Sequence, residues 1–513
     1  MSHHLRRLVL FVGLLTLGVL SAGVTAASAQ TTELTIAVAT DPLTLDPRGS
    51  MNIISWSLAY HIADPLVGKD KDLKIVPLLA ESWERPNPRT WRFKLRRGVK
   101  FHTGEEVTSQ AVKATIDVMM DPELAKTKKV QVSSIIRGNF RAVERVETPD
   151  PYTVVIVTKT PYRPMLMGLA QLGIVPVSGL NAAEAYIAKP VGAGPYRFVE
   201  YVPGSRLVLE ANDSYWGPKP KFKRVVVRIM PENATRVAAL QTGEVMAIFN
   251  VPPDTIERLR ANKDLEVRDT LTTRHNYLYL QNDRPPFNDK RVRLALNYAL
   301  DKDQITRVIF RGLAKPSSAP MGPATVYFNH ALKPYPYDLA KAKELLAEAG
   351  HPNGLKFVMG APFGRFINDR QVAEAAVGQL AKAGFTVDLR VEEWGTSLAN
   401  LLARKYDAFF GAYGGSTDPD YMLSWLFTAK TSIIGFNKPD VEALLLEGLQ
   451  ATDEASARKI YERAQQIVWE DAPLGFLYFQ PDIVAFNKRL KGFGPRVDEY
   501  VDIRSASLEE RKD

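Results

Sequence analysis

Asp418 and Asp420, one on each side of Pro419, are the nearest approach in this chain to the paired carboxylates of general acid–base chemistry. The same three residues also make a solvated turn or a helix start. The other parts of a catalytic apparatus are missing. Of seven histidines, two are His3 and His4 near the N-terminus, and none stands at the HExxH spacing of a zinc hydrolase. There is no cysteine, which removes thiol nucleophiles and thiolate-bound zinc. No GxSxG elbow, no GxxxxGK[ST] loop and no GxGxxG opening a helix is present. No catalytic residue, metal or cofactor is expected, and binding is the favoured class of function.

Among groups that could bind, Arg365 stands in Gly364-Arg365-Phe366-Ile367-Asn368-Asp369, a loop between a strand and a helix, exposed by its glycine neighbour. An arginine there can hold a carboxylate or phosphate through two parallel hydrogen bonds. Alternatively, Asn368 or Asp369 caps the following helix and Arg365 is solvated. His102-Thr103-Gly104 reads as a turn after a strand, with His102 a surface or packing residue rather than a metal ligand.

The elements that must position these residues follow an export signal. Arg6-Arg7, an apolar run at residues 8–20 and Ala27-Ser28-Ala29 predict cleavage before Gln30. The run is shorter than the ~20 apolar residues a membrane span needs, and no later segment approaches that length. With no cysteine for a lipid anchor, a protein released into a bacterial periplasm is expected. Stability must then come from burial without disulfides, even in an oxidising compartment. The net charge of +9 includes Arg6 and Arg7 and is otherwise scattered, without the basic tract of a nucleic-acid partner.

Residues 30–513 suffice for two or three domains of ~100 to 200 residues each. Strands are predicted at residues 34–39, 91–95, 153–158, 207–209, 225–229 and 276–280, then at 355–359, 385–391 and 474–479. Helical spacing relates Ala111, Val112, Thr115 and Ile116 behind a cap at Thr108 or Ser109. It also relates Val292, Ala295, Leu296 and Ala299, and Val372, Ala376 and Leu380 before Gly384. Alternating strands and helices point to an α/β chain.

Five segments in order carry a resemblance that none carries alone. They are Trp91-Arg92-Phe93-Lys94-Leu95-Arg96-Arg97-Gly98-Val99-Lys100-Phe101-His102-Thr103-Gly104, Gly192-Ala193-Gly194-Pro195-Tyr196, Asn212-Asp213-Ser214-Tyr215-Trp216-Gly217, Leu240-Gln241-Thr242-Gly243-Glu244, and Pro286-Phe287-Asn288-Asp289-Lys290-Arg291-Val292-Arg293. Together they resemble the family 5 bacterial extracellular solute-binding proteins, which include oligopeptide, dipeptide and nickel receptors of ABC importers. The resemblance implies an α/β type II periplasmic binding protein with two lobes and an extra subdomain on the first, closing over a ligand in the interlobe cleft. On that basis residues 1–29 are signal, lobe 1 is 30–270 plus 481–513 with the subdomain at about 63–188, and lobe 2 is 271–480. The implied partners are a small-molecule ligand and an inner-membrane ABC permease with its ATPase subunits, around a monomeric receptor. The rival classes are a secreted hydrolase of peptides or esters and a chaperone-like periplasmic binder.

The resemblance also suggests where ligand is touched. A tryptophan placed as Trp394 and an aromatic placed as Tyr413 line the cleft in that family, although Trp394 also reads as a core residue. Gly411, Gly414 and Gly415 around Tyr413 would allow close approach to a ligand. Met51 and Asn52, in the loop after the first strand, fall near the same cleft. Peptide receptors of the family carry an aspartate just after the aromatic, which pairs with the peptide ammonium. Here Gly414-Gly415-Ser416-Thr417 stands in that place, so the match is Gly415 or Ser416 and the charge is missing. Ordinary peptide capture is therefore not expected there, and Asp418 could substitute only if the loop bends differently.

Overall fold

The computed structural model describes residues 33–49, 52–414 and 416–509. The export signal and the candidates Met51 and Gly415 lie outside the described residues. Strands and helices are mixed through the rest, as expected for an α/β chain, although strands also follow one another directly, as Tyr196–Val202, Arg206–Ala211 and Arg224–Ile229 do.

A mixed sheet of eleven strands runs through the molecule, and two long strands, Leu265–Leu280 and Leu474–Asn487, lie at its middle. They pair antiparallel with a break. Leu265 to Leu271 face Asn487 to Pro481, and pairing resumes only at His275 opposite Phe479. Thr272 closes the gap: its hydroxyl donates to the Gln480 carbonyl at 2.9 Å and accepts the Arg274 N–H at 3.0 Å. A break of this kind bends and re-aims a strand, and here each long strand serves a different half-sheet at each end.

One half carries Ala247–Ile248, Glu33–Val38, Arg224–Ile229, Arg206–Ala211 and Tyr196–Val202. The other carries Ala408–Tyr413, Leu355–Phe363 and Phe385–Glu393. These halves are the cores of two lobes. In the second, Leu355–Phe363 runs parallel to both of its neighbours. Parallel strands need a crossover, and the helix Asp369–Lys382 supplies it, burying Val372, Ala376 and Leu380. Gly384, at φ +102°, turns the chain into the next strand.

The extra subdomain is a four-stranded antiparallel sheet in the order Ala80–Asn87, Thr90–Leu95, Thr153–Thr158, Val143–Asp150. Along its second strand Trp91, Phe93 and Leu95 point inward and Arg92 and Lys94 outward, the period-2 pattern seen in the sequence. The helix Ser109–Met120 lies on this sheet, and Thr108 holds its N-cap position without a side-chain cap bond. Ser109 instead ties the helix start to the adjacent hairpin, donating from Oγ to the Asp150 carbonyl at 2.7 Å.

Two of the sequence motifs meet where the subdomain joins the first lobe. His102 donates from Nε2 to the Gly194 carbonyl at 3.0 Å and accepts the Gly192 N–H on Nδ1 at 3.4 Å. That pairing requires the neutral ring with its proton on Nε2. Burial, opposed by the bond to Gly194, pushes its pKa down to about 4. The glycines are explained by space rather than by unusual backbone angles: a Cβ would lie 2.2 Å from the Ile62 carbonyl oxygen at position 192, and 2.5 Å from that of His61 at position 194.

Candidate functional site

Loops at the carboxyl ends of parallel strands are where open α/β sheets bind ligands, and here such loops from both lobes converge. Between them lies a cavity of ≈ 540 Å³. From the first lobe it is lined by Asp41 and Asn52, which follow Glu33–Val38, and by Asn233, which follows Arg224–Ile229. From the second it is lined by Phe366, after Leu355–Phe363, and Trp394, after Phe385–Glu393. Two apolar side chains stand exposed at its edge, Leu43 and Phe363, at 64% and 44%. Asn52 has a structural task as well: its Oδ1 accepts the N–H groups of Ile54 at 3.1 Å and Ser55 at 3.3 Å, capping the helix Ile53–Ile62.

The loop after Leu355–Phe363 is held by Asp369. Its carboxylate accepts the backbone N–H groups of Gly364, Arg365, Phe366 and Arg370 at 2.8–3.3 Å. The helix-start role foreseen for Asn368 or Asp369 thus falls to Asp369, and Asn368 makes no side-chain cap bond. Burial raises the pKa of Asp369, against the lowering effect of those four N–H groups.

Arg365 is half-buried rather than freely solvated. Its guanidinium lies 5.0 Å from the Phe366 ring centroid and 5.3 Å from that of Trp394, close enough for cation–π attraction. Its Nε is out of solvent and has no hydrogen-bond partner. Burial first, and then the like charge of Arg274, push its pKa down to about 9. Trp394 opens the helix Trp394–Leu402, is partly exposed and packs edge-on against Phe366, so it borders the cavity instead of filling the core.

Tyr413 ends its strand and is only 7% exposed. Its ring stacks on Trp425 at 4.8 Å and tilts against Tyr421 at 5.1 Å, and its hydroxyl donates to the Tyr421 carbonyl at 3.0 Å. Gly411 and Gly414 let parts of this chain approach one another: a Cβ at 411 would meet the Tyr279 ring at 2.5 Å, and one at 414 the Arg274 Cα at 2.6 Å. Ser416 is buried, with its Oγ accepting the Asp418 N–H at 3.1 Å.

Asp418 and Asp420 begin the helix Pro419–Phe427, and neither is a solvated turn residue. Asp418 is bonded to Arg163 at 2.8 and 2.9 Å. Asp420 is bonded to Arg141 at 2.8 Å and to the Ser424 hydroxyl. Both arginines come from the extra subdomain, so the two pairs tie that subdomain to the second lobe. Asp418 is therefore already charge-paired, its oxygens accepting from the Arg163 fork and from the Asp420 N–H.

At the strand break, Arg274 binds the Glu499 carboxylate with two-pronged geometry, at 2.7–2.9 Å. Burial would lower the pKa of Arg274, but Glu499 more than compensates and raises it. Arg141, Arg163, Arg274 and Glu499 were not singled out in the sequence. Each is defined by a partner more than 200 residues away, and no local pattern marks it.

Among the described residues no group of three metal-ligating side chains is assembled, and no helix is long and apolar enough to cross a membrane.

Comparison with known proteins adds a consistent picture. The family model for bacterial extracellular solute-binding proteins, family 5 Middle, matches residues 74–433. The glutathione-binding protein GsiB of Pectobacterium atrosepticum is 31% identical over 514 residues, covering 96% of this chain and 98% of that protein. In structure, the ABC transporter-associated periplasmic binding protein DppA of Helicobacter pylori, solved with the peptide STSA, matches with a TM-score of 0.86 at 28% identity, over 93% of this chain and 98% of that one. AgaA of A. tumefaciens R10, solved with agropinic acid, matches with a TM-score of 0.84 at 28% identity, over 93% and 99%.

Proposed function

This chain belongs to the family 5 bacterial extracellular solute-binding proteins, and from that membership we propose how its own residues carry out the role. It is the solute-binding component of an ABC importer, which captures a small solute between two lobes and delivers it to the permease and ATPase that family 5 receptors serve. The observation that carries the site is the ≈ 540 Å³ cavity, built from loops of both lobes at the carboxyl ends of their strands.

In our reading lobe 1 is residues 30–270 plus 481–513, with the subdomain at about 63–188, and lobe 2 is residues 271–480. Trp394 and Asn52, which line the cavity, contact the ligand, with Arg365 against Trp394; Tyr413 and Ser416, packed against this chain's own residues, do not line it. The receptor acts as a monomer, performs no chemistry on its cargo, and reaches the periplasm after cleavage before Gln30. N-terminal sequencing of the exported protein tests that cleavage, and a start at Met1 would count against it.

The ligand is neutral or anionic where peptide receptors of the family bind an ammonium. Gly415 or Ser416 replaces the acid, and Asp418 and Asp420 are each committed to an arginine. An acid of the kind AgaA binds therefore fits better than a peptide gripped by its free N-terminus. Mass spectrometry of ligand released from the purified protein identifies the cargo. Calorimetric titration with STSA, N-acetyl-STSA and agropinic acid tests the ammonium inference. Tight binding of STSA that vanishes on acetylation would overturn it. A substrate consumed during incubation would favour the hydrolase class instead.

A further inference from the structure

Resting on the cleft-binding reading above, we infer that Glu499 is a positioning residue for the ligand: by fixing Arg274 and offsetting its charge, it keeps the aromatic wall of Phe366 and Trp394 in place beside the cavity. The backbone gives the first sign. Glu499 has φ +57°, in the left-handed region that residues with a side chain seldom adopt, and such strain persists only where the surroundings over-determine it. Here they do. The Val497 carbonyl accepts the Thr273 N–H at 2.8 Å, and the Arg496 carbonyl accepts the Glu499 N–H at 2.9 Å. The Asp482 carboxyl accepts the Arg496 N–H at 3.3 Å. The C-terminal segment is thereby fastened to both long strands at their break, and the Glu499 carboxylate accepts three hydrogen bonds of 2.7–2.9 Å from the Arg274 guanidinium.

From there the contact runs to the ligand cavity. The Arg274 guanidinium lies 5.6 Å from the Phe366 ring, within reach of cation–π attraction, and Phe366 meets Trp394 edge-on with centroids 6.1 Å apart. Both rings line the ≈ 540 Å³ cavity. The Arg365 guanidinium lies 5.0 Å from the same Phe366 ring, so two cations share one aromatic neighbour and repel. Burial, and then the Arg274 charge, lower the pKa of Arg365, and Glu499 acts in the opposite sense. No neighbouring acid can replace Glu499 in that task. Burial first, and then Glu499 itself, push the pKa of Asp482 up to about 8, so at neutral pH Asp482 mostly keeps its proton. Asp498 is bound to Lys69 and Arg496, and Asp369 accepts four backbone N–H groups. Removing the Glu499 charge would leave Arg274 and Arg365 as uncompensated cations around Phe366, away from bulk water. Arg274 is buried, so the groups that must give way are the partly exposed Arg365 and Trp394.

The test reads Trp394 directly, by fluorine NMR of the full mature protein labelled with 5-fluorotryptophan. Trp394→Phe assigns its signal among the seven tryptophans, and Trp91→Phe assigns a control in the subdomain. Glu499→Gln should displace or broaden the Trp394 signal and leave that of Trp91 in place. The double variant Arg274→Met/Glu499→Leu removes both charges while filling their space, an exchange that folded proteins tolerate. It should melt near the wild type yet leave the Trp394 signal displaced, because Phe366 has lost its cation. In calorimetric titration with agropinic acid and STSA, whichever binds the wild type should be weakened roughly 3- to 30-fold in Glu499→Gln. An unmoved Trp394 signal or unchanged affinity in Glu499→Gln overturns the inference. So does recovery of both the signal and the affinity in the double variant, which would reduce the pair to space filling. Should Glu499→Gln fail to fold, the position of the Trp394 signal in the double variant decides. If neither probe binds the wild type, the cleft reading is judged by whether ligand is released from the purified protein, and the ligand-free Trp394 signal still decides the positioning.

Discussion

Arg163 of the extra subdomain and Asp418 of the second lobe form a two-pronged ion pair, with guanidinium nitrogens 2.8 and 2.9 Å from the two carboxylate oxygens. The backbone joins in. Arg163 donates its N–H to the Leu449 carbonyl at 2.9 Å and its Nε to that of Gly448 at 3.4 Å. Those carbonyls belong to the last turn of the helix Pro439–Gln450, where no intrahelical donor reaches them and a cation is favoured. The two side chains are only 17% and 7% exposed, so the pair is made at a largely dry contact between the subdomain and the second lobe.

Replacing Arg163 by Gln should therefore open the receptor more than unfold it. In the closed form Asp418 would be left buried and unpaired, a situation that costs ~3–5 kcal/mol, whereas opening returns it to water. Ligand affinity should fall by about two orders of magnitude or more, with a larger radius of gyration by small-angle scattering. Adding Asp418→Asn should restore part of the affinity, because the uncompensated charge is gone. Unchanged affinity and radius in the single variant would exclude the pair from closure.

Trp394 and Tyr413 should respond differently to replacement by Ala. Trp394 is partly exposed beside the cavity, so its loss should weaken ligand binding with little change in urea unfolding. Tyr413 is buried between Trp425 and Tyr421, and its loss should leave a void costing ~3–5 kcal/mol. Equal stability losses in both variants would place Trp394 in the core.

His102 makes a pH prediction. Its folded pKa of about 4 lies below the value of ~6.5 in an unfolded chain, so between those limits the unfolded state binds the extra proton. Stability should be level above pH ~6.5 and fall as pH drops towards 4. Burial pushes His61 and His275 in the same direction. His102→Gln keeps an N–H donor for Gly194 but does not titrate, and should show a shallower loss between pH 6.5 and 5. Identical slopes in urea unfolding would remove His102 from the acid response.

Much of the local structure was legible along the chain. The alternation at Trp91, Arg92, Phe93, Lys94 and Leu95 and the helical spacing of Val372, Ala376 and Leu380 are properties of a few consecutive residues. They mark a buried face wherever the element is later placed. The family resemblance was legible for a related reason: its segments are short and keep their order. The glycines of the Gly192-Ala193-Gly194 turn were recognised, but their cause was not, because the His61 and Ile62 carbonyls that exclude a Cβ come from 130 residues earlier.

The sequence by itself determined the α/β character, the lack of any acidic side chain in Gly414-Gly415-Ser416-Thr417 and the absence of any thiol chemistry, since each is a matter of residue type or of local period. Only the tertiary structure decided which charges are free. Asp418 and Arg365 look equally available in the sequence, one as a substitute acid and the other as a solvated base. Folding brings Arg163 onto Asp418 from 255 residues away, while the acids around Arg365 are taken by backbone N–H groups and by Arg274. Charge pairing depends on distances of a few ångströms between segments far apart in the chain, and those distances are set by the register break between the two long strands and by the packing of the lobes.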